Sequence, residues 1–195
     1  AHVLPRVIPS RSVVTIHDVG FFRYPHLYKT VQRLWHPLVT RDIIRRASRI
    51  ITVSEYSKQE LIHYCDVDPD RVFVTYLGIL RSETTEPLSE EKVAPSPFFL
   101  YVGRLEAKKN ILTLIEGFRR YKSDHGLGDP MQLVLVGTQG NEFSKIEEAI
   151  RQSGLSSSIR LTGYLSQKEK TVLFGSATAL VHPAWYEGFG FTPLE

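Results

Sequence analysis

Two short segments of the chain carry side chains that could act on a phosphorylated ligand. The first is a loop leading into a predicted helix, with Arg104 and Lys109 at its two ends. A helix N-terminus offers unpaired N–H groups and partial positive charge, which attract phosphate. Arginine adds paired hydrogen bonds to phosphate oxygens, and lysine adds a compact charge. The pattern fits a phosphate-binding loop and equally fits two exposed cations on a surface loop, and the spacing alone leaves both interpretations open.

The second segment begins at Glu187 and ends at Glu195, with seven residues between the two carboxylates. Glycines and a proline in this stretch predict a turn at the first glutamate and the start of a helix at the second. Glycine lets a ligand approach the backbone closely, so the N–H groups of Gly190, Phe191 and Thr192 are predicted to point towards it. A capping turn with two solvated glutamates is the alternative.

His17 is a third candidate, because it ends a predicted buried strand together with Asp18. A lone histidine at the end of a strand is usually a structural residue. In a cleft it could instead hydrogen-bond a sugar or transfer a proton. Both interpretations remain open on the sequence alone.

Two further patterns are interpreted as structural. Asp66 and Asp68 have a spacing found in some metal-dependent transferases, but they lie in a stretch rich in turn-forming residues. No metal site is expected there. Arg41, Arg45 and Arg49 form a basic stripe at helical spacing, which predicts a solvated face, with contact to an anionic membrane as the alternative.

The elements that must position these residues alternate between strands and helices. Near-continuous apolar strands between amphipathic helices predict an α/β fold with parallel sheets covered on both faces. The predicted strands are Ser12–Ile16, Arg49–Val53, Arg71–Tyr76, Phe98–Val102, Gln132–Val136, Ser158–Leu161 and Ala179–His182. The predicted helices are Tyr28–Ser48 with a kink or break at Pro37, a helix opened by a Ser57–Glu60 capping box and running through about Tyr64, Asn110–Lys122, Glu142–Ser153, and one opened by a Ser166–Glu169 capping box.

Ligands of open parallel sheets lie at the carboxyl ends of the strands. The residues that follow the predicted strands are polar or glycine, among them His17, Arg104, Gly137, Tyr164 and Glu187. These residues are therefore predicted to lie at the carboxyl edge of the sheets. A stretch rich in proline and glutamate at 81–97 predicts a linker between residues 1–80 and residues 98–195.

Bulk properties narrow the class of protein only moderately. The 195-residue chain carries a net charge of +3, which does not distinguish a phosphorylated ligand from nucleic acid or an anionic membrane. Cys65 is the only cysteine, so an internal disulfide is excluded and a reducing, cytoplasmic setting fits. No apolar run approaches the length of a membrane-spanning helix, no signal peptide is predicted at the first residues, and no nucleic-acid reader motif is present.

Taken together, the motifs resemble those of retaining glycosyltransferases of family 4. The motifs, in the order of that family, are Thr15–Asp18 (TIHD), Ile51–Lys58 (ITVSEYSK), Tyr101–Asn110 (YVGRLEAKKN), Val134–Gly137 (VLVG) and Tyr186–Glu195 (YEGFGFTPLE). The resemblance covers essentially the whole chain. It implies a GT-B-like fold, in which two Rossmann-like, doubly wound parallel sheets face each other across a cleft. Residues 1–80 would be the later part of an acceptor-side N-terminal domain, and 98–195 the first part of a donor-binding C-terminal domain.

The resemblance also implies a role for each candidate residue. Arg104 and Lys109 would neutralise the donor diphosphate, and Glu187 and His17 would lie near the transferred sugar. The remaining donor contacts would come from Tyr164 and Leu165 at the base, Gly190, Phe191 and Thr192 at sugar or phosphate, and Glu195 at the ribose. No cofactor and no metal are expected.

The expected reaction is transfer of a mannose- or glucose-type hexose from a GDP- or UDP-sugar to a glycan or lipid-linked acceptor. The expected location is cytoplasmic, with possible peripheral contact with the inner face of a membrane. Both ends of the family's fold are unmatched here, so the resemblance implies a fragment that is inactive alone. The alternatives are a catalytically silent nucleotide-sugar binder and another GT-B enzyme such as a sugar-nucleotide epimerase.

Overall fold

The computed structural model describes residues 11–79 and 97–195, which form two compact units. Among these residues, the first unit comprises 11–79 and 186–191, and the second comprises 97–185 and 192–195. The predicted linker at 81–97 lies, apart from Pro97, outside the described residues. The domain boundaries inferred from the sequence stay a prediction.

The first unit contains a three-stranded parallel sheet in the order β1-β2-β3. Its elements are β1 (Val13–Thr15), α1 (Gly20–Arg23), a 3₁₀ turn (Pro25–Leu27), α2 (Thr30–Arg46), β2 (Arg49–Thr52), α3 (Glu55–Cys65), a 3₁₀ turn (Pro69–Arg71) and β3 (Val72–Val74). One layer of the sheet, formed by Val14, Ile50 and Val72, is buried beneath α2 and α3.

The second unit contains a four-stranded parallel sheet in the order β6-β5-β4-β7. Its elements are β4 (Phe98–Val102), a 3₁₀ turn (Ala107–Lys109), α4 (Ile111–His125), β5 (Gln132–Val136), α5 (Phe143–Ser153), β6 (Ile159–Gly163), α6 (Gln167–Ser176), β7 (Ala179–Leu180) and a 3₁₀ turn (Thr192–Leu194). Side chains of β4 and β5 alternate between two apolar clusters, one on each face. The α/β fold with two parallel sheets is therefore confirmed.

Three local predictions need correction. The capping box expected at Ser57–Glu60 is wrong, because α3 begins at Glu55 and its cap is Ser54, whose hydroxyl accepts from the Ser57 N–H at 3.1 Å. Glu60 instead turns into the unit and accepts a hydrogen bond from Arg23 at 2.9 Å. A kink or break was expected at Pro37, and the break is wrong, since α2 continues through this residue.

The third correction concerns residues 192–194, which form a 3₁₀ turn where the start of an α-helix was predicted.

The capping box predicted at Ser166–Glu169 is confirmed. The Ser166 hydroxyl accepts from the Glu169 N–H, and the Glu169 carboxylate accepts from the Ser166 N–H. No helix within the two described ranges is long and apolar enough to cross a bilayer.

Candidate functional site

The loop that follows β4 is fixed by the loop that follows β5. Beyond the end of both strands, the Leu105 N–H donates to the Thr138 carbonyl at 2.9 Å, and the Gly140 N–H donates to the Leu105 carbonyl at 2.9 Å. This parallel pairing of two loops continues the sheet past its carboxyl edge. Arg104, the residue before Leu105, therefore lies on a held backbone rather than on a free loop.

Glycine is required where these two loops approach each other. Gly137 has a φ of +147°, and a Cβ there would collide with the carbonyl oxygen of Gly103. Gly140 is similarly close, since its Cβ would lie 2.6 Å from the Cβ of Glu106. Gly137 of the VLVG motif thus lies directly against the backbone of Gly103 in the YVGR motif, at the edge of the sheet. This close approach gives a physical reason for the glycine at position 137.

Around Arg104, two cationic side chains share one carboxylate. The Arg104 Nε lies 3.6 Å from one oxygen of Glu106, and the Lys108 Nζ lies 3.5 Å from the other. The Arg104 side chain is 61% exposed, whereas the Glu106 side chain is only 14% exposed. Glu106 therefore holds two cations at the edge of the sheet while most of the Arg104 side chain faces solvent.

The next part of this loop is tied to the segment after β7. Lys109 ends the 3₁₀ turn, and Asn110 follows in the left-handed region with a φ of +58°. The Asn110 side chain donates to the Pro183 carbonyl at 3.1 Å, and the Trp185 N–H donates to the Lys108 carbonyl at 3.1 Å. Lys109 is thereby placed on the same edge as the residues that follow β7.

The end of β6 completes this edge. The Gly137 N–H donates to the Gly163 carbonyl at 2.9 Å, so Tyr164, the next residue, lies beside the loop after β5. Tyr164 is 78% exposed, and Leu165 packs against one of the two apolar clusters. The second unit therefore brings Arg104, Lys109 and Tyr164 to one edge of its sheet.

In the first unit, the carbonyl groups of His17 and Gly188 meet at the N-terminus of α3. The Ser54 hydroxyl donates to the Gly188 carbonyl at 2.6 Å. The Ser57 hydroxyl lies 3.2 Å from the His17 carbonyl and 3.1 Å from that of Gly188. A Cβ on Gly188 would collide with the His17 carbonyl oxygen. His17 and Glu187, the residue before Gly188, are consequently held close together.

Tyr186 anchors the same segment. Its side chain is buried, and its hydroxyl accepts from the Val19 N–H at 3.4 Å. A Cβ on Gly20 would lie 2.7 Å from the Tyr186 ring, so the ring occupies the space beside that glycine. Burial raises the pKa of the Tyr186 hydroxyl above its ordinary value. Because Glu187 follows Tyr186 in the sequence, the buried ring fixes the position of the Glu187 backbone.

Each unit thus holds one part of the predicted site. His17, Glu187, Gly190 and Phe191 belong to the first unit, and Gly190 has a φ of +77°. The second unit holds Arg104, Lys109, Tyr164, Leu165, Thr192 and Glu195. The roles assigned to these residues stay predictions.

Several residues of this arrangement were not singled out from the sequence. Glu106, Ser54 and Tyr186 lie inside the recognised motifs, so the motifs marked the right segments. What the motifs could not show is that Glu106 pairs with two cations and that Ser54 reaches a carbonyl 134 residues away in sequence. Such contacts depend on the fold rather than on spacing.

The spacing of Asp66 and Asp68 has a structural explanation. Asp66 ends α3 in the left-handed region with a φ of +49°, and Asp68 accepts from the Asp70 N–H at 2.9 Å to open the following 3₁₀ turn. Across residues 11–79 and 97–195, no group of three or more His, Cys, Asp or Glu side chains is placed to hold a metal ion.

Comparison with known proteins decides the family. Residues 83–195, more than half of the chain, match the sequence profile of Glycosyl transferases group 1. This chain belongs to the glycosyl transferases group 1 family. Residues 3–82 match the profile of Glycosyltransferase Family 4. The two profiles together account for both series of motifs in the sequence.

Curated relatives of this chain include two bacterial mannosyltransferases. The O-antigen chain mannosyltransferase B of Escherichia coli is 28% identical over 193 residues, which cover 95% of this chain and 50% of that protein. The O-antigen chain mannosyltransferase RfbU of Salmonella typhimurium is 24% identical, covering 100% of this chain and 51% of that protein. The chain therefore spans about half the length of these relatives.

Solved structures of glycosyltransferases share the fold. WaaG, a glycosyltransferase involved in lipopolysaccharide biosynthesis, aligns with a TM-score of 0.69 at 17% identity, covering 96% of this chain and 54% of that chain. HepE of Anabaena, solved with UDP and glucose, aligns with a TM-score of 0.69 at 17% identity, covering 93% and 49%. These likenesses confirm the GT-B-like fold class expected from the sequence.

Proposed function

We propose that the protein to which this chain belongs is a retaining hexosyltransferase that uses a GDP- or UDP-linked mannose or glucose. The observation that carries the proposal is the cationic loop after β4. Arg104 and Lys109 lie at the carboxyl edge of a parallel sheet, where ligands of such sheets bind. The pairing of that loop with the loop after β5 holds Arg104 in place before a ligand arrives.

In this proposal the loop stabilises the leaving group. When the bond between sugar and nucleotide breaks, negative charge develops on the diphosphate. Preorganised cations beside that charge stabilise the transition state more than the ground state. Arg104 supplies paired hydrogen bonds and Lys109 a point charge, while Glu106 keeps the arginine oriented.

The first unit would supply the groups beside the sugar. Glu187 and His17 are proposed to face the transferred hexose, in support of which Ser54 and Ser57 fix the neighbouring carbonyl groups. The remaining donor contacts are proposed as follows: Tyr164 and Leu165 at the base, the N–H groups of Gly190, Phe191 and Thr192 at sugar or phosphate, and Glu195 at the ribose hydroxyls.

The names of the relatives support the proposed sugar and acceptor. Both O-antigen relatives described above are named for mannose transfer, which supports a mannose-type donor. The same names support a growing glycan, free or lipid-linked, as the acceptor. The reaction is proposed to proceed without a bound metal, since arginine and lysine already offset the diphosphate charge.

A cytoplasmic location with peripheral contact with an anionic membrane belongs to the same proposal. Two features support it. Cys65, the only cysteine, is a free thiol, which fits a reducing compartment. The segment 29–49 is strongly basic, which fits a surface that approaches anionic lipid.

Calorimetry with GDP and UDP tests the phosphate loop directly. Arg104→Ala and Lys109→Ala should each weaken binding by about 1.5–3 kcal/mol, because each removes a charge-assisted contact. Arg120→Ala and Lys145→Ala are matched controls, since both side chains are exposed cations on helices of the second unit. Unchanged affinity in both test variants, or equal losses in the controls, would place the phosphate elsewhere.

Sugar transfer is tested separately from nucleotide binding. Assayed alone with GDP-mannose or UDP-glucose and simple sugar acceptors, the 195-residue chain is expected to bind nucleotide without transferring sugar. The reaction needs donor and acceptor held together, and a misplacement of about 1 Å can cost roughly 100-fold in rate. Robust transfer by a monodisperse preparation would contradict this expectation and would show that these residues suffice.

A further inference from the structure

The carboxylate of Glu106 acts on the cations of the loop after β4 mainly through its charge. One of its oxygens lies 3.6 Å from the Arg104 Nε, and the other lies 3.5 Å from the Lys108 Nζ. These separations are those of ion pairs and are too long for strong hydrogen bonds. A change in the charge of Glu106 would therefore change the electrostatic potential around both cations.

The pair formed by Arg104 and Glu106 lies directly on Gly140 of the neighbouring loop. A Cβ at position 140 would lie 2.6 Å from the Glu106 Cβ, 3.0 Å from a Glu106 carboxylate oxygen and 3.1 Å from the Arg104 Nε. The Glu106 carbonyl also accepts from the Lys109 N–H at 3.0 Å, which closes the 3₁₀ turn. The backbone therefore restrains the Glu106 carboxylate before any ligand binds.

Glu106 is less exposed than the two cations it contacts. The Arg104 side chain is 61% exposed and the Lys108 side chain 32%, whereas the Glu106 side chain is 14% exposed. Partly buried charges are screened by salt less than exposed ones. A phosphate ligand arriving from solvent would meet the cations at the surface, with their attraction reduced by the carboxylate beneath.

The nucleotides proposed to bind here differ in charge. In a nucleotide sugar, each of the two phosphoryl groups carries about one negative charge, because each is esterified on both sides. When the sugar leaves, the terminal phosphoryl group gains a second ionisable oxygen with a pKa of about 6, so the free nucleoside diphosphate carries about three negative charges. Since Coulomb energy is proportional to the product of the charges, any charge on the loop acts more strongly on the product than on the donor.

We propose that Glu106 sets the relative affinity of this loop for the nucleotide-sugar donor and the nucleoside diphosphate product. Its negative charge lowers the affinity for both ligands and lowers that for the more highly charged product further. Arg104 and Lys109 attract the diphosphate, and the carboxylate keeps the product from binding so tightly that it cannot leave. Lys108 offsets part of this effect, because it is paired with the same carboxylate.

A role for Glu106 limited to orienting Arg104 fits the structure less well. A neutral amide in the same place could accept from the guanidinium without opposing phosphate binding. The carboxylate instead places a full negative charge beside a loop proposed to bind phosphate. The carboxylate of Glu142, which ends the neighbouring loop, is paired with Lys145 at 2.7 Å.

This inference rests on the proposed function, because it assumes that Arg104 and Lys109 bind the diphosphate. The two can nevertheless fail separately. If Arg104→Ala and Lys109→Ala both leave GDP and UDP affinity unchanged, the proposed phosphate loop is wrong. If those variants weaken binding but Glu106→Gln does not strengthen it, only the role given to Glu106 is wrong.

Calorimetry of the 195-residue chain with GDP, GDP-mannose, UDP and UDP-glucose tests the proposal. Glu106→Gln keeps the size of the side chain and removes its charge. It should raise the affinity about tenfold for the nucleoside diphosphate and about fivefold for the matching nucleotide sugar, in line with ligand charges of about three and two. Glu106→Asp keeps the charge and should bind both ligands like wild type. Added salt should reduce the effect of Glu106→Gln, because ions screen the charges.

Lys108→Gln changes the charge of the loop in the opposite direction. It should lower the affinity about tenfold for the nucleoside diphosphate and about fivefold for the nucleotide sugar. The double variant with Glu106→Gln should bind both ligands like wild type, because the two charges removed are opposite. Damage to the loop would instead weaken both ligands by the same factor, and most of all in the double variant. If circular dichroism shows that Glu106→Gln does not fold, Lys108→Gln still decides the question.

Glu116→Gln is the matched control for the carboxylate. Glu116 also pairs with two cations, Arg119 at 2.7 Å and Arg120 at 3.1 Å, but it lies within α4. Lys145→Gln is the control for Lys108, since it removes an exposed cation that is paired with a single carboxylate. Neither control should change nucleotide affinity.

The role given to Glu106 is wrong if Glu106→Gln leaves GDP and UDP affinity unchanged or lowers it. It is also wrong if this variant strengthens product and donor binding by the same factor, or if Glu116→Gln gives an equal gain. A wild-type chain that binds none of the four nucleotides would overturn both the phosphate loop and the role of Glu106.

Discussion

The two units differ in how many faces of their parallel sheets are covered. In the second unit, Leu133 and Leu135 face one apolar cluster and Leu100 and Val134 face the other, all at 0% exposure. In the first unit, only the layer of Val14, Ile50 and Val72 is buried. Parallel sheets are normally covered on both faces.

The difference between the two units lies in the other face of the first sheet, where apolar side chains are exposed. Val13 is 61% exposed and Phe73 is 50% exposed, although both are strand residues. Ile51 pairs in register with Phe73, so the exposed side chains share one layer. We therefore expect substitutions in the second sheet to cost more stability than substitutions on the exposed face of the first sheet.

The largest expected effect is in the second core. Leu135→Ala should lower the free energy of unfolding of the second unit by about 4 kcal/mol, because a fully buried leucine leaves a cavity between packed layers. Phe73→Ala should cost the first unit about 1 kcal/mol or less, since half of that ring is already in water. The measurement is urea denaturation followed by tryptophan fluorescence.

Each unit contains its own fluorescence reporter, Trp35 in the first and Trp185 in the second. Trp185→Phe and Trp35→Phe backgrounds separate the two signals. Similar losses from the two substitutions would mean that the first sheet is covered as completely as the second.

Tight glycines should give the next largest effect. Gly137→Ala should destabilise the second unit by about 3 kcal/mol, because it combines an unfavourable positive φ with a collision against backbone. Gly188→Ala should destabilise the first unit by about 1–2 kcal/mol, since it collides with the His17 carbonyl without an unusual φ.

The control for both is Gly117→Ala within α4. Nothing lies within 4 Å of its added Cβ, so it should stabilise the second unit by about 0.5–1 kcal/mol. Urea midpoints of the three variants give the comparison. A neutral Gly137→Ala would show that the loops after β4 and β5 do not need their close approach.

The two N-cap serines, Ser54 in the first unit and Ser166 in the second, are expected to have smaller effects on stability. Ser166→Ala should cost about 1 kcal/mol, the usual effect of losing an N-cap. Ser54→Ala should cost about 2 kcal/mol, because the same hydroxyl caps α3 and also donates to the Gly188 carbonyl. Ser156→Ala, at an exposed loop position, is the neutral control. If Ser54→Ala costs no more than Ser166→Ala, the Gly188 contact adds no stability.

The last comparison is the pH dependence that Cys65 adds to the stability of the first unit. Burial raises the pKa of the Cys65 thiol to about 11, with a smaller opposing effect from Arg41. The pKa is higher in the folded chain than in the unfolded chain, so the stabilisation is complete below about pH 9 and is lost as the pH rises through about 11. Between these values, wild type should lose stability relative to Cys65→Ala, measured as Trp35 unfolding midpoints. A difference in unfolding midpoint that does not change with pH would contradict the raised pKa of the Cys65 thiol.

Much of the fold was predictable from local patterns. Apolar runs of strand length between amphipathic helices placed the strands at Phe98–Val102 and Gln132–Val136 within the bounds observed. Ser166 was identified as a cap because both partners of a capping box lie within three residues of each other. Ser54 was missed because the serine at 57 has an equally good spacing to Glu60, and only the fold directs that glutamate to Arg23.

The candidate site was predictable only in part, for the same reason. The sequence by itself determined that Arg104 and Lys109 follow a strand and precede a helix, since these are relations between neighbours in the chain. Tertiary structure alone decided that Glu106 pairs with two cations, that Ser54 holds Gly188, and that Trp35 is exposed on α2. Periodicity reports which side of an element is apolar, but hydrogen bonds between distant segments and the covering of a given face are set only when the chain packs.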